Sequence, residues 1–114
     1  MSIHILTSKI SRVELKTIVQ ESFEVMVKAV VDVEKGILAL GGELHADANA
    51  ALLANGSEQG HLWGINLYPD KKLEDWIEYT ALINIRPATG NRSMEIKDPD
   101  LRGQIQEIVH TLIE

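Results

Sequence analysis

A histidine with an acidic residue two positions away on either side stands near the middle of the chain, at Glu43, His45 and Asp47. In an extended segment these three side chains would project from one side, because side chains alternate along a strand. Imidazole and carboxylate groups together suit Zn²⁺, Mn²⁺ or Fe²⁺. The competing interpretation is that Asp47 caps a helix and His45 bonds locally. A single His-x-Asp pattern is a short signal, so a divalent metal cofactor is a hypothesis that the sequence does not favour.

A loop bounded by two arginines, Arg86 and Arg92, is the second group of polar residues. Paired guanidinium groups can hold a phosphate or carboxylate through two hydrogen bonds each, and the Asn91 amide would add another. We therefore predict that Arg86, Asn91 and Arg92 bind a small anion. The alternative is that Arg86 pairs with Glu78 or Glu95, while Asn91 only shapes the turn.

The third group is one polar face of a predicted sheet, formed by Lys28, Asp32, Asn66, Glu78, Thr80, Asn84 and Arg86. Opposite charges on adjoining strands form networks that stabilise a sheet or line a groove. From this face we take Asn66, Glu78 and Asn84 as ligand-binding candidates. Glu78 beside His45 would also suit a general base and its partner.

Composition limits the class of protein. The 114 residues, 45% hydrophobic and 25% charged, predict one soluble domain spanning residues 1–114. The lack of cysteine fits a reducing compartment, and no apolar run is long enough for a membrane span, so we expect a cytoplasmic protein. A net charge of −6 makes nucleic acid an unfavoured partner. No serine lies in a nucleophile motif, and the sequence has no phosphate-binding glycine loop.

Two antiparallel strands, predicted at residues 62–68 and 77–86, carry most of these candidates. Alternation along 77–86 puts one set of side chains on the apolar face: Ile77, Tyr79, Ala81, Ile83 and Ile85. In the partner strand Trp63 falls on the core face. Trp76 lies beside acidic residues, and we predict that it is exposed and contacts a partner.

The remaining elements follow from local signals. Ser11 and Glu14 have capping-box spacing and predict a helix over residues 12–23. Residues 25–33 fit a strand paired with 37–44, with Gly36 in the turn, but a long helix is the open alternative.

Three shorter elements complete the prediction. Residues 3–6 are predicted as an edge strand and 93–96 as a brief strand. Residues 48–54 are predicted as a short helix capped by Asp47 and stopped by Asn55-Gly56. Asp98 as N-cap and Pro99 at the first position begin the last helix. The predicted fold is α+β, an antiparallel sheet of about four main strands with the N-terminal, middle and C-terminal helices on one face.

Four runs cover most of the chain beyond the first helix: MVKAVVDVEKGILALGGELHADA (26–48), LWGINLYP (62–69), LINIRP (82–87) and NRSMEIKDPDLR (91–102). In these runs the chain resembles an uncharacterised bacterial family classed only as a domain of unknown function. The resemblance implies a small stand-alone bacterial protein and carries no reaction, cofactor or catalytic residue. Asn49 stands where the family has an acidic residue, which argues against a carboxylate site there.

Two functional hypotheses follow. The first is a non-enzymatic binding module that recognises a small anionic ligand or a protein through the polar sheet face and the arginine loop, with a second copy in a homodimer among its expected partners. The second is a small hydrolase or transferase using Glu43, His45, Asp47 and Arg86, with or without a divalent metal. A messenger-cleaving toxin is the third and weakest idea, because such proteins need a basic face for RNA.

Overall fold

The computed structural model describes residues 2–113, and within them a five-stranded antiparallel sheet is flanked by three α-helices. The strands are β1 (Ile3–Leu6), β2 (Val27–Asp32), β3 (Ile37–Gly41), β4 (Leu62–Leu67) and β5 (Ile77–Glu78). The helices are α1 (Arg12–Glu21), α2 (His45–Ala54) and α3 (Pro99–Leu112). The sheet order is β1-β3-β2-β4-β5, so the predicted α+β fold is confirmed, with the four main strands joined at one edge by the predicted edge strand β1. None of the described helices is both long and apolar enough to cross a membrane.

The central hairpin of β2 and β3 decides the open question at residues 25–33 in favour of a strand. Its register pairs Ala29 with Leu40 and Asp32 with Ile37. Gly36 adopts a φ of 67° in the connecting turn, a backbone conformation that glycine enters without steric cost. The Asp32 carboxylate stabilises this turn by accepting hydrogen bonds from the amides of Glu34 and Lys35, at 2.9 Å each.

Helices cover both faces of the sheet, so the prediction that all three helices share one face is wrong. The larger core lies on one side, where α1 and α3 pack against alternate strand residues including Val31 and Trp63. On the opposite side Ala48 and Leu52 of α2 pack against Val30 of β2. The physical reason is the near-continuous apolar run of β2, which presents side chains to both faces and needs a cover on each.

The predicted strand over 77–86 is also wrong beyond its first two residues. After β5 the chain makes an isolated bridge between Thr80 and Glu95, and then a 3-10 turn over Leu82–Asn84. Leu82 is 70% exposed although it is apolar, and Asn84 is fully buried although it is polar. The alternation of core and surface residues that a strand would show therefore does not hold here. The segment predicted as a strand at 93–96 is present only as that single bridge.

Helix ends follow the local signals closely. Ser11 Oγ accepts from the Glu14 amide at 3.1 Å, as the capping box predicts, although α1 ends at Glu21 rather than at residue 23. Asp98 likewise caps α3, directly before Pro99. Asp47 also caps its helix, but from the third helical position and not as the N-cap, because α2 begins at His45 rather than at residue 48.

The middle helix stops where the sequence indicated. Asn55 is its C-cap and Gly56 follows with a φ of 98°. The first tryptophan, Trp63, packs in the larger core as expected. Trp76 does not behave as predicted, since it is only 3% exposed and its indole nitrogen donates to the Lys71 carbonyl at 2.9 Å. The indole is therefore part of the core and is not a surface for a partner.

Candidate functional site

A cleft of about 340 Å³ opens between the start of α2 and the segment that follows β5. Its polar floor consists of Lys28 on β2, Asn66 on β4 and His45 at the first position of α2. Its walls are mainly apolar, and three of these wall residues are exposed at the rim: Leu44 at 59%, Leu82 at 70% and Met94 at 40%. An apolar cleft with a few convergent polar groups is the usual form of a small-ligand site.

Gly64 on β4 allows both walls to approach the sheet. A Cβ atom added at this position would lie 2.5 Å from the Cβ of Ala81 and 3.2 Å from Cδ2 of His45. Such a distance to Ala81 is shorter than any non-bonded carbon contact. The absence of a side chain at residue 64 therefore lets the imidazole and the segment after β5 rest on the strand and form the cleft between them.

The His45 ring is fixed by a hydrogen bond from β4. Its Nε2 atom lies 2.8 Å from the carbonyl oxygen of Ile65, and since a carbonyl can only accept, Nε2 carries the proton and donates. The Nδ1 atom of the neutral ring then keeps its lone pair, and the Asn66 amide lies within hydrogen-bonding reach of the ring. Nδ1 is the ring's remaining acceptor.

Burial lowers the pKa of His45 below its ordinary value, because the charged imidazolium would lose water. The hydrogen bond to the Ile65 carbonyl opposes this shift, as do the Asn66 amide and the Glu78 carboxylate, while the positive charge of Lys28 adds to it. The lowered pKa keeps His45 neutral at pH 7. The floor of the cleft therefore presents a neutral imidazole with one ammonium group beside it.

Asn66 and Glu78 meet beside the cleft, as their places on paired strands require. Asn66 Nδ2 donates to Glu78 Oε1 at 2.7 Å and to the Thr80 carbonyl at 3.3 Å. The other end of the same amide, Oδ1, is buried and has no hydrogen-bond partner in the part of the chain that the structure describes. Tyr68 donates to Glu78 at 3.5 Å, and burial together with that carboxylate raises the pKa of the Tyr68 hydroxyl.

Arg86 lies elsewhere, in the loop beside the Leu62 end of β4. Its guanidinium stacks on the Trp63 ring, 4.3 Å from the centroid, and donates to the backbone carbonyls of Leu62 and Gly60. Burial lowers the pKa of Arg86. Among the described residues no carboxylate pairs with it; Glu95 instead pairs with Arg102 at 2.7 Å. The alternative pairing considered for Arg86 is therefore not what holds this side chain.

Asn84 and Asn91 are buried backbone partners. Asn84 Oδ1 accepts from the Gly64 amide at 2.8 Å, and its Nδ2 donates to the carbonyls of Gly64 at 2.9 Å and Met94 at 3.0 Å. Asn91 is 8% exposed and donates to the carbonyl of Asn84 at 2.7 Å. The structure thus brings one of the six predicted ligand-binding residues, Asn66, into the lining of the cleft, with Glu78 bonded to it from beside the cleft, and it leaves Arg92 exposed on its loop.

The three metal-ligand candidates do not converge. His45 turns to β4, and the Asp47 carboxylate accepts from the Leu44 amide at 3.0 Å, as the first turn of a helix favours. Glu43 is exposed, and its backbone carbonyl accepts from the Lys28 ammonium at 2.6 Å. Across residues 2–113 no group of three or more His, Asp and Glu side chains is arranged to hold a metal ion.

Sequence reasoning missed the apolar half of the cleft. Leu82 was placed on a strand, and Leu44 and Met94 were given no role. The signal in the sequence was Leu44, the one large apolar residue in the run of small and polar residues from 41 to 47. Such a signal identifies an exposed residue only after the helix start is known, because the direction of the Leu44 side chain depends on it.

Fold and site together define a small α+β protein whose antiparallel sheet carries a partly apolar cleft at the start of its middle helix. A family model matches residues 4–112, and its description is "Protein of unknown function (DUF5674)". The chain belongs to this family. No curated protein and no solved structure matches it.

Proposed function

We propose that this protein is a non-enzymatic binding module that acts as a single cytoplasmic domain, and that its principal site is the cleft at His45. The observation that carries the proposal is the convergence of Lys28, His45 and Asn66 on the floor of one apolar-walled cleft. A few polar groups in such a setting orient a ligand, while the walls supply most of the area that it buries.

The exposed rim supports a binding role. Leu82, Leu44 and Met94 are large apolar side chains that the fold leaves open around one concavity. Single exposed apolar residues need no explanation, but a cluster around a cleft is typical of a binding surface. A ligand that entered the cleft would cover them.

The arginine loop remains part of the proposal as a second, separate contact for an anion or a protein partner. Arg92 is exposed, whereas the Arg86 guanidinium is already engaged by Trp63 and by two carbonyls. Arg92 is therefore the residue to test. Titration of inorganic phosphate into the wild type and into Arg92→Ala, followed by NMR, should show a loop response that only the wild type gives.

The main experiment is a fragment screen by two-dimensional NMR of the ¹⁵N-labelled protein. We expect saturable shifts of the amides around the cleft, and we expect Leu82→Glu to abolish them by placing a charge on the rim. Leu53→Glu is the matched control, because Leu53 is an exposed leucine of α2 that does not line the cleft. Shifts that map outside the cleft, or that survive in Leu82→Glu, would contradict the proposal.

A small hydrolase or transferase is the second candidate, and one observation favours it. His45 is neutral at pH 7 because burial lowers its pKa, and its Nδ1 lone pair is available as a general base. An activated-ester panel tests this idea. Turnover that rises with pH through the lowered pKa of His45 and disappears in His45→Gln would favour an enzyme over a module.

A further inference from the structure

The lining of the cleft contains a single charged group, the ammonium of Lys28. This side chain projects from β2 into the floor, and the other lining residues are uncharged, since His45 is neutral at pH 7. The positive charge of Lys28 acts on the imidazole, so the ammonium lies close to the ring. The cleft therefore presents one positive charge between walls that are mainly apolar.

The Lys28 ammonium has no carboxylate partner in the part of the chain that the structure describes. Its Nζ atom donates to the backbone carbonyl of Glu43 at 2.6 Å and lies 5.2 Å from the centroid of the Phe23 ring. An ammonium has three N–H donors, and the carbonyl takes one of them. Neither the carbonyl nor the ring carries a full negative charge, so these contacts hold the ammonium without neutralising it.

A shortage of carboxylates does not explain the missing counter-ion. The sequence has 17 Asp and Glu residues against 11 Lys and Arg residues, and Glu95 pairs with both Lys97 and Arg102. Lysine is rarely removed from water unless a partner balances its charge, and Lys28 is half-buried. A half-buried ammonium that faces an open cleft indicates that a ligand supplies the negative charge.

Glu78 limits how much negative charge that ligand can carry. It lies beside the cleft without lining it, and its Oε1 atom accepts from Asn66 Nδ2 at 2.7 Å. One carboxylate adds one negative charge, which Lys28 balances. A phosphate carries about −1.5 to −2 charges at pH 7, and Glu78 would repel the excess. A ligand cation would meet Lys28 itself, so a single carboxylate is the head group that fits.

The walls define the rest of the ligand. The volume of about 340 Å³ lies at the lower end of the range for small-molecule pockets, roughly 300–1,000 Å³. We propose that the cleft binds a small molecule with one carboxylate and an apolar body, the carboxylate paired with the Lys28 ammonium and the body between Leu82 and Met94. This inference rests on the proposed binding function and names its ligand class.

The test compares five probes: cyclohexanecarboxylate, its methyl ester, cyclohexyl phosphate, cyclohexylmethylammonium and acetate. Each is titrated into the ¹⁵N-labelled wild type at pH 7.5 and followed by two-dimensional NMR. The carboxylate should bind in the cleft at least about tenfold more tightly than the ester, because a charge-assisted hydrogen bond is roughly twice as strong as a neutral one. It should also bind more tightly than the phosphate and the ammonium probe, whose charges do not match, and than acetate, which lacks the apolar body.

Lys28→Met removes the charge and keeps an unbranched side chain. In this variant the carboxylate should lose its advantage over the ester, while the ester still shifts the amides around the cleft. Lys9→Met is the matched control, because Lys9 is an exposed lysine that does not line the cleft and its loss changes the net charge equally. The preference for the carboxylate should persist there. The comparison of probes on the wild type decides the question even if Lys28→Met does not fold.

Each other outcome overturns a defined part of the reasoning. Equal binding of carboxylate and ester in the cleft would refute the ion pair with Lys28 and leave the binding module standing. Tighter binding of the phosphate or of the ammonium probe would refute the carboxylate, and equal binding of acetate would refute the apolar body. Carboxylate shifts confined to the loop at Arg92 would refute the placement in the cleft. Failure of all five probes and of the fragment screen would refute the inference and the binding module together.

Discussion

Replacing Asn84 by alanine tests whether its side chain supplies the hydrogen bonds that a neighbouring strand would otherwise make to Gly64 in β4. The Gly64 amide and carbonyl in β4 point away from β2, toward the side where a longer β5 would have paired. The Asn84 amide satisfies both groups, at 2.8 and 2.9 Å, and it also donates to Met94 at 3.0 Å. A carboxamide can replace a peptide group in this role because it carries the same donor and acceptor.

The expected loss of stability follows from the two hydrogen bonds that Asn84 makes to Gly64. Asn84→Ala leaves the Gly64 amide and carbonyl without partners in a fully buried place. A buried donor or acceptor that loses its partner costs about 1–3 kcal/mol, so two such groups predict a loss of about 2–6 kcal/mol in the free energy of unfolding. Domains of this kind are stable by about 5–15 kcal/mol, so the loss would be large but measurable.

Urea denaturation followed by circular dichroism is the assay, and Gln106→Ala is the matched control. Gln106 is an exposed carboxamide in the interior of α3 and its side chain makes no hydrogen bond in the described part of the chain, so the control should change stability by less than about 0.5 kcal/mol. A loss below about 1 kcal/mol in Asn84→Ala would refute the reasoning, because it would mean that water reaches Gly64 and replaces the amide at little cost.

Three further predictions concern the same region and the hairpin. Gly64→Ala should destabilise the protein by about 1–3 kcal/mol and shift the NMR signals around Ala81, because its Cβ would lie 2.5 Å from that residue. The free energy of unfolding should fall as pH drops below 6.5, since the pKa of His45 is lowered in the folded state and the unfolded chain takes up its proton first. His45→Gln should remove that part of the pH dependence in urea titrations. Ser57→Ala should cost about 1–3 kcal/mol by removing the buried 2.6 Å hydrogen bond to Asp32, measured by thermal or urea denaturation.

Each of these predictions has an outcome that contradicts it. Unchanged stability in Gly64→Ala, with Gly60→Ala as the open-space control, would show that the 81–83 segment is not pressed against β4. A pH dependence below 6.5 that is identical in wild type and His45→Gln would assign it to other groups. A neutral Ser57→Ala variant would mean that the Asp32 carboxylate is already satisfied by the two turn amides.

Local signals predicted most of the elements correctly. The caps at Ser11 and Asp98, and the turn at Gly36, depend on contacts between residues at most four positions apart. The alternating valines of β2 gave the correct strand for the same reason, since pairing with β3 needs only a short turn. Candidate residues His45, Asn66 and Glu78 could likewise be named from type and spacing alone.

What the sequence by itself determined is therefore the set of elements whose stabilising contacts are close in the chain, together with the polar residues available for a site. The tertiary structure alone decided that α2 covers the second face, that Asn84 replaces a strand beside Gly64, and that His45 and Asn66 share one cleft. The bonds from Asn84 to Gly64 and from His45 to Ile65 both span 20 residues. The alternating pattern of residues 77–86 is compatible with a strand and with the observed 3-10 turn. Only the contact between Asn84 and Gly64 of β4, which the sequence does not reveal, decides between the two.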